Sequence, residues 1–74
     1  MRRYFFRLSI TAPRLLAYYR GQASVVSAMS TSGQRVQFAA DKLRMHARHD
    51  GVHGRFELQA SDQGRFLALN RIGD

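Results

Sequence analysis

The stretch Arg3-Tyr4-Phe5-Phe6-Arg7-Leu8-Ser9-Ile10 alternates residue by residue. Tyr4, Phe6, Leu8 and Ile10 point one way, and Arg3, Phe5, Arg7 and Ser9 the other. A period of two is the signature of a strand with one buried face. Next in the chain, Thr11-Ala12-Pro13 opens a helix, because proline is tolerated in the first turn, where its missing N–H has no partner to lose. Leu15, Leu16 and Tyr19 share one face of that helix, Tyr18 lies beside Leu15, and Gly21 is a natural stop. At about two turns the helix cannot stand alone in water.

Further along, Ser24 to Met29 reads as a second strand, 31–34 as a hairpin loop, and Arg35-Val36-Gln37-Phe38 as the return strand with Val36 and Phe38 inward. Residues 40–48 are ambiguous: Asp41 to Arg44 suits one helical turn, and Met45 to Arg48 suits extended chain. His49-Asp50-Gly51 is a turn. Val52 to Ala60 alternates cleanly, with Phe56, Leu58 and Ala60 opposite Arg55, Glu57 and Gln59. A second four-residue turn, 61–64, leads to a last strand, Arg65 to Ile72. Both faces of that strand are apolar, with Phe66, Ala68 and Ile72 on one and Leu67 and Leu69 on the other. These elements predict an α+β, mainly β domain: a small five-stranded antiparallel curled sheet or open barrel, with one short helix after strand 1. A single domain is expected over residues 1–74.

Composition narrows the function classes. A chain of 74 residues and 45% apolar content can fold, but area scaling buries only about 60% of its surface. A deep substrate pocket would consume much of so small a core. Cysteine is absent, which excludes disulfides and thiolate metal sites. Twelve basic residues, eleven of them Arg, face five acidic ones, for a net charge of +7. That field favours polyanionic partners. Arg7 breaks the apolar run that begins at Tyr4, so a signal peptide is not expected, and no run is long enough to span a membrane. The expected location is cytoplasmic.

Together, Arg35-Val36-Gln37-Phe38, Leu43-Arg44 and the segment from His49 to Phe56 resemble the signature of a group of short proteobacterial proteins, the domain of unknown function 2835 family. The aromatic first strand, Leu15 to Gly21, and Arg65-Phe66 with Leu69 fit the same pattern. The family carries proline where Ala39 and Met45 stand here. The resemblance implies a compact bacterial cytosolic protein and implies no activity.

The strongest chemical feature is Arg3-Phe5-Arg7. In a strand these lie on one face, about 7 Å apart in succession. A ring between two guanidinium groups can stack a base and hold its phosphates. Arg35, Arg55, Arg65 and Arg71 are read as outward on their strands, and Arg35 and Arg55 extend the track. The expected partner is RNA or single-stranded DNA. The bland alternative is that the helix covers Phe5 and the arginines form a solvated rim. A second alternative places Leu67 and Leu69 on the face of Phe5, leaving an apolar patch for an acidic protein partner or a homodimer.

Weaker patterns are present too. Arg3 and Arg7 have the R-x-x-x-R spacing of PilZ domains, which bind cyclic dinucleotides, and Ser30-Thr31-Ser32-Gly33 matches part of that family's second motif. Ala28 stands where an acid or amide should. His46, His49 and His53 with Asp50 suit a helical metal site, but Gly51 and Gly54 make helix unfavourable there, so a polar turn is expected. Gly51-Val52-His53-Gly54 matches the G-x-x-G of KH domains but leads into a strand. The five acids form no evident pair for acid–base work and no nucleophile elbow is present, so no enzyme and no cofactor is expected.

Overall fold

The computed structural model describes residues 1–21 and 24–74. Five strands form in chain order: β1 (Arg2–Thr11), β2 (Val25–Met29), β3 (Arg35–Ala39), β4 (Gly51–Ala60) and β5 (Phe66–Gly73). One α-helix, α1 (Ala12–Tyr19), follows β1, and a 3₁₀ helix (Ala40–His46) follows β3. The strands do not make one curled sheet. They make two antiparallel sheets, β1-β4-β5 and β2-β3. Nor does the structure close: among the described residues, β1 and the β2–β3 hairpin meet through a single backbone bond, Thr31 N–H to the Phe5 carbonyl at 2.7 Å.

The inner faces of the two sheets supply one core. Phe6, Leu8 and Ile10 of β1 meet Val26 and Ala28 of β2, Val36 and Phe38 of β3, and Val52, Phe56 and Leu58 of β4. Phe6 stacks on Phe38 and Phe56, with ring centroids 6.0 and 6.5 Å apart. Leu15 anchors α1 in this core, while Leu16 and Tyr19 are exposed. The buried face of the helix is therefore Leu15 with the half-buried Tyr18, not Leu15-Leu16-Tyr19, because β1 delivers the chain with its inner face already fixed. Gly51 lies where the two ends of β1 and β4 meet. Its φ is +115, and an added Cβ would collide with the Ile10 carbonyl oxygen.

The expected parity of the last strand fails. Two irregularities in the β4–β5 register leave Leu67 and Ile72 without direct partners in β4. Each extra residue shifts the alternation, so Phe66 and Leu69 both turn to the core side and Leu67 and Ile72 stand exposed. The outer edge of β5 is blunted. Arg48 and Gly51 exchange backbone bonds of 2.8 and 3.0 Å, which direct the peptide groups of Gly51 away from β1. Alternation along β4 sends those of Glu57 and Gln59 the same way, to Asn70 and Ala68, so Leu69 faces the open edge. His46 Nε2 donates to the Leu69 carbonyl at 2.9 Å. A carbonyl only accepts, so this nitrogen carries the proton. A capped, bulged edge resists strand addition.

The 31–34 turn is closed by a buried serine. Ser30 Oγ accepts the Gln34 N–H at 3.1 Å and lies 2.9 Å from Ser32 Oγ. Ser30→Ala should cost about 1 kcal/mol, because the Gln34 donor loses its acceptor. Thermal unfolding by circular dichroism is expected to show the midpoint falling by roughly 4–8 °C.

Candidate functional site

Directly paired residues of an antiparallel sheet share a face. The pairs Arg3–Gln59, Phe5–Glu57, Arg7–Arg55 and Ser9–His53 therefore stand together on the outer face of the three-stranded sheet. Helix α1 packs on the opposite side through Leu15. Phe5 is left open, at 40% exposure.

The two ends of this face differ in charge. Glu57 is the acid on it, with its side chain only 13% exposed, and it takes Arg3 as an ion pair at 3.6 Å. Gln59 and Asn70 donate to the same carboxylate at 3.0 and 3.3 Å. Arg3 is thus locally neutralised. Arg7 and Arg55, directly opposite one another, have no ion pair or side-chain hydrogen bond among the described residues. The Arg55 guanidinium lies over Gly73, where an added Cβ would sit 2.6 Å from Nη2. Phe5, Arg7, Thr31, Arg55 and Ile72 line a cleft of about 400 Å³. Thr31, Ile72 and Gly73 could not be assigned to this site from sequence, since the turn contact and the bulge that bring them there leave no periodic trace.

Three of the other expected residues go elsewhere. Arg35 does not extend the track. It belongs to the outer face of the β2–β3 sheet, where Nη1 donates to Ser27 Oγ at 3.1 Å, and it is not among the residues that line the Phe5–Arg7–Arg55 cleft. Arg71 is half-buried on the inner side, opposite Phe56; its Nε donates to the His53 carbonyl at 3.1 Å and its Nη2 pairs with Asp74. Leu69 is core, so the patch of Leu67 and Leu69 beside Phe5 does not form.

The remaining polar motifs serve the fold. His53 Nε2 lies 3.0 Å from the Asp50 carbonyl, so it donates, which leaves Nδ1 to accept from Ser9 Oγ at 3.3 Å. His46 caps β5, and His49 is exposed in the turn. Among the described residues, no three metal-ligating side chains converge. Ser30 is consumed by its own turn, although that turn does abut β1 through Thr31. Gly51 and Gly54 both lie within β4, so the G-x-x-G is strand backbone.

The model of the family described as Protein of unknown function (DUF2835) matches residues 2–72. The chain belongs to the DUF2835 family. The DUF2835 match runs from the start of β1 into the end of β5, and so takes in Arg3, Phe5, Arg7, Arg55 and Ile72. No curated protein and no solved structure matches the chain. Among the described residues, no helix is long and apolar enough to cross a membrane.

Proposed function

We propose that this DUF2835 protein is a non-catalytic binder of single-stranded nucleic acid, RNA or DNA, acting in the bacterial cytoplasm. The proposal rests on one observation: an exposed Phe5 ring on an uncovered sheet face, with Arg7 and Arg55 unpaired beside it. Phe5 stacks a base, Arg7 and Arg55 hold phosphate, and Arg3 contributes as far as Glu57 releases it. No base-edge reader stands on this face in a groove-entering element, so binding is sequence-tolerant and salt-dependent.

Fluorescence anisotropy with labelled single-stranded RNA and DNA tests it. Two phosphate contacts predict a log–log salt slope of about −1.4. Phe5→Ala should weaken binding by about 1–3 kcal/mol, and Arg7→Ala or Arg55→Ala should flatten the slope. Arg35→Ala, on the other sheet, serves as the matched loss of charge and should leave the Phe5-dependent term intact. No binding at low salt, or equal losses for Arg35→Ala and Phe5→Ala, would overturn the proposal.

A second reading, a protein-docking module or homodimer, is favoured by Met45, Leu67 and Ile72, all exposed on or beside β5. Sedimentation across a concentration series reads it directly: a constant monomer mass sinks the homodimer.

A further inference from the structure

We infer that the Arg7–Arg55 end of the outer face is a seat for one dianionic phosphate, so that a terminal phosphate monoester of the strand is what anchors it. This rests on the nucleic-acid proposal above and adds to it which phosphate is held.

Two arginines directly opposite in an antiparallel pair repel each other, an arrangement that disfavours the folded sheet. An anion bound between them relieves that repulsion, and three of the chain's five acids are already committed elsewhere. Glu57 is taken by Arg3, Asp74 by Arg71, and Asp62 by the amino group of Met1 at 2.8 Å. Asp41 lies in the first turn of the 3₁₀ helix and Asp50 in the turn before β4, and among the described residues neither forms an ion pair. A phosphate ligand is the counter-anion that this open pair of arginines can take.

Its charge follows from the count. An internal phosphodiester carries one negative charge, and a terminal monoester about −1.5 to −2 at neutral pH. Two arginines that line one cleft match the second; a phosphate seated between them draws the Arg55 fork from its rest over Gly73 of β5 and the Arg7 fork from β1. The surroundings fit a phosphate that carries an organic body. Phe5 lies one same-face step along β1 from Arg7, and Ile72 and Phe5 give the cleft apolar walls. Gly73 fixes the second arm: its missing side chain is the surface on which Arg55 lies.

Labelled oligonucleotides of one sequence would be compared by anisotropy, bearing a 5′-phosphate, a 3′-phosphate, a 5′-methylphosphate or hydroxyls at both ends. The expected result is at least about tenfold tighter binding of one phosphorylated end, since each 1.4 kcal/mol is a factor of ten. The methylphosphate, with one charge, should lose most of that gain. Gly73→Ala meets only the side chain of Arg55, so it should fold, bind hydroxyl-ended strands with the same flattened salt slope as Arg55→Ala, and lose the end preference. Arg55→Gln should lose the preference as well. Equal affinity for all four ends would overturn this inference and leave the stacking face standing. Absence of binding by every oligonucleotide would overturn both.

Discussion

Phe56→Ala is expected to remove a large share of the protein's stability at 25 °C. Phe56 stands on β4, the central strand of its sheet, and its exposure is 0%. Its ring stacks on Phe6 and receives the His46 ring edge-on at 5.1 Å. Truncating a fully buried Phe costs about 3–5 kcal/mol, the lost transfer free energy plus a cavity that rigid neighbours cannot fill. A chain of this length has a total stability of about 4–11 kcal/mol. The loss is thus a large share of the whole, and it falls on the residue that packs the 3₁₀ helix against Phe6, the ring that stacks on Phe38 of the other sheet. Urea unfolding followed by circular dichroism checks it, with Phe66→Ala as the half-buried comparison. A cost for Phe56→Ala below about 1.5 kcal/mol, or one no larger than that of Phe66→Ala, would mean that Phe56 does not anchor this core.

Local alternation was legible wherever one face of a strand is buried and no residue is inserted. β1, β3 and β4 meet that condition, and their inner residues were readable one by one. β5 does not, because each bulge reverses the parity that follows it, and a bulge is set by the partner strand rather than by its own sequence. The division into two sheets was hidden for a related reason: alternation fixes which side of a strand is buried and says nothing about which strand lies beside it. The same distinction divides the candidate site. Arg3, Phe5 and Arg7 share a strand, so their common face was visible. The Arg3–Glu57 pair, the Arg7–Arg55 opposition and the removal of Arg35 to the other sheet depend on register between distant segments. Helix α1 was placed correctly, but a two-turn helix with Leu15, Leu16, Tyr18 and Tyr19 is apolar nearly all round, and only docking selects a face.

Residues 40–48 resisted reading because their period is three. Ala40 and Leu43 are buried and His46 is half-buried, the spacing of a 3₁₀ helix, in which residues i and i+3 eclipse. Leu43, at 0% exposure, is the anchor of this segment, and Met45, two residues on, is 88% exposed. Leu43→Ala is therefore expected to cost about 2–5 kcal/mol, and Met45→Ser to stay within about 0.5 kcal/mol of the parent. Urea midpoints for the two variants give the comparison. The first change should do more than open a cavity. Leu43 holds the turn that carries His46, and His46 holds the Leu69 carbonyl at the outer edge of β5. Loosening that turn exposes an uncapped strand edge beside Leu67 and Ile72, so Leu43→Ala should also self-associate on mild heating where Met45→Ser does not. Were Leu43→Ala to cost no more than Met45→Ser, the 3₁₀ helix would not be docked, and the edge of β5 would owe its protection to its bulges alone.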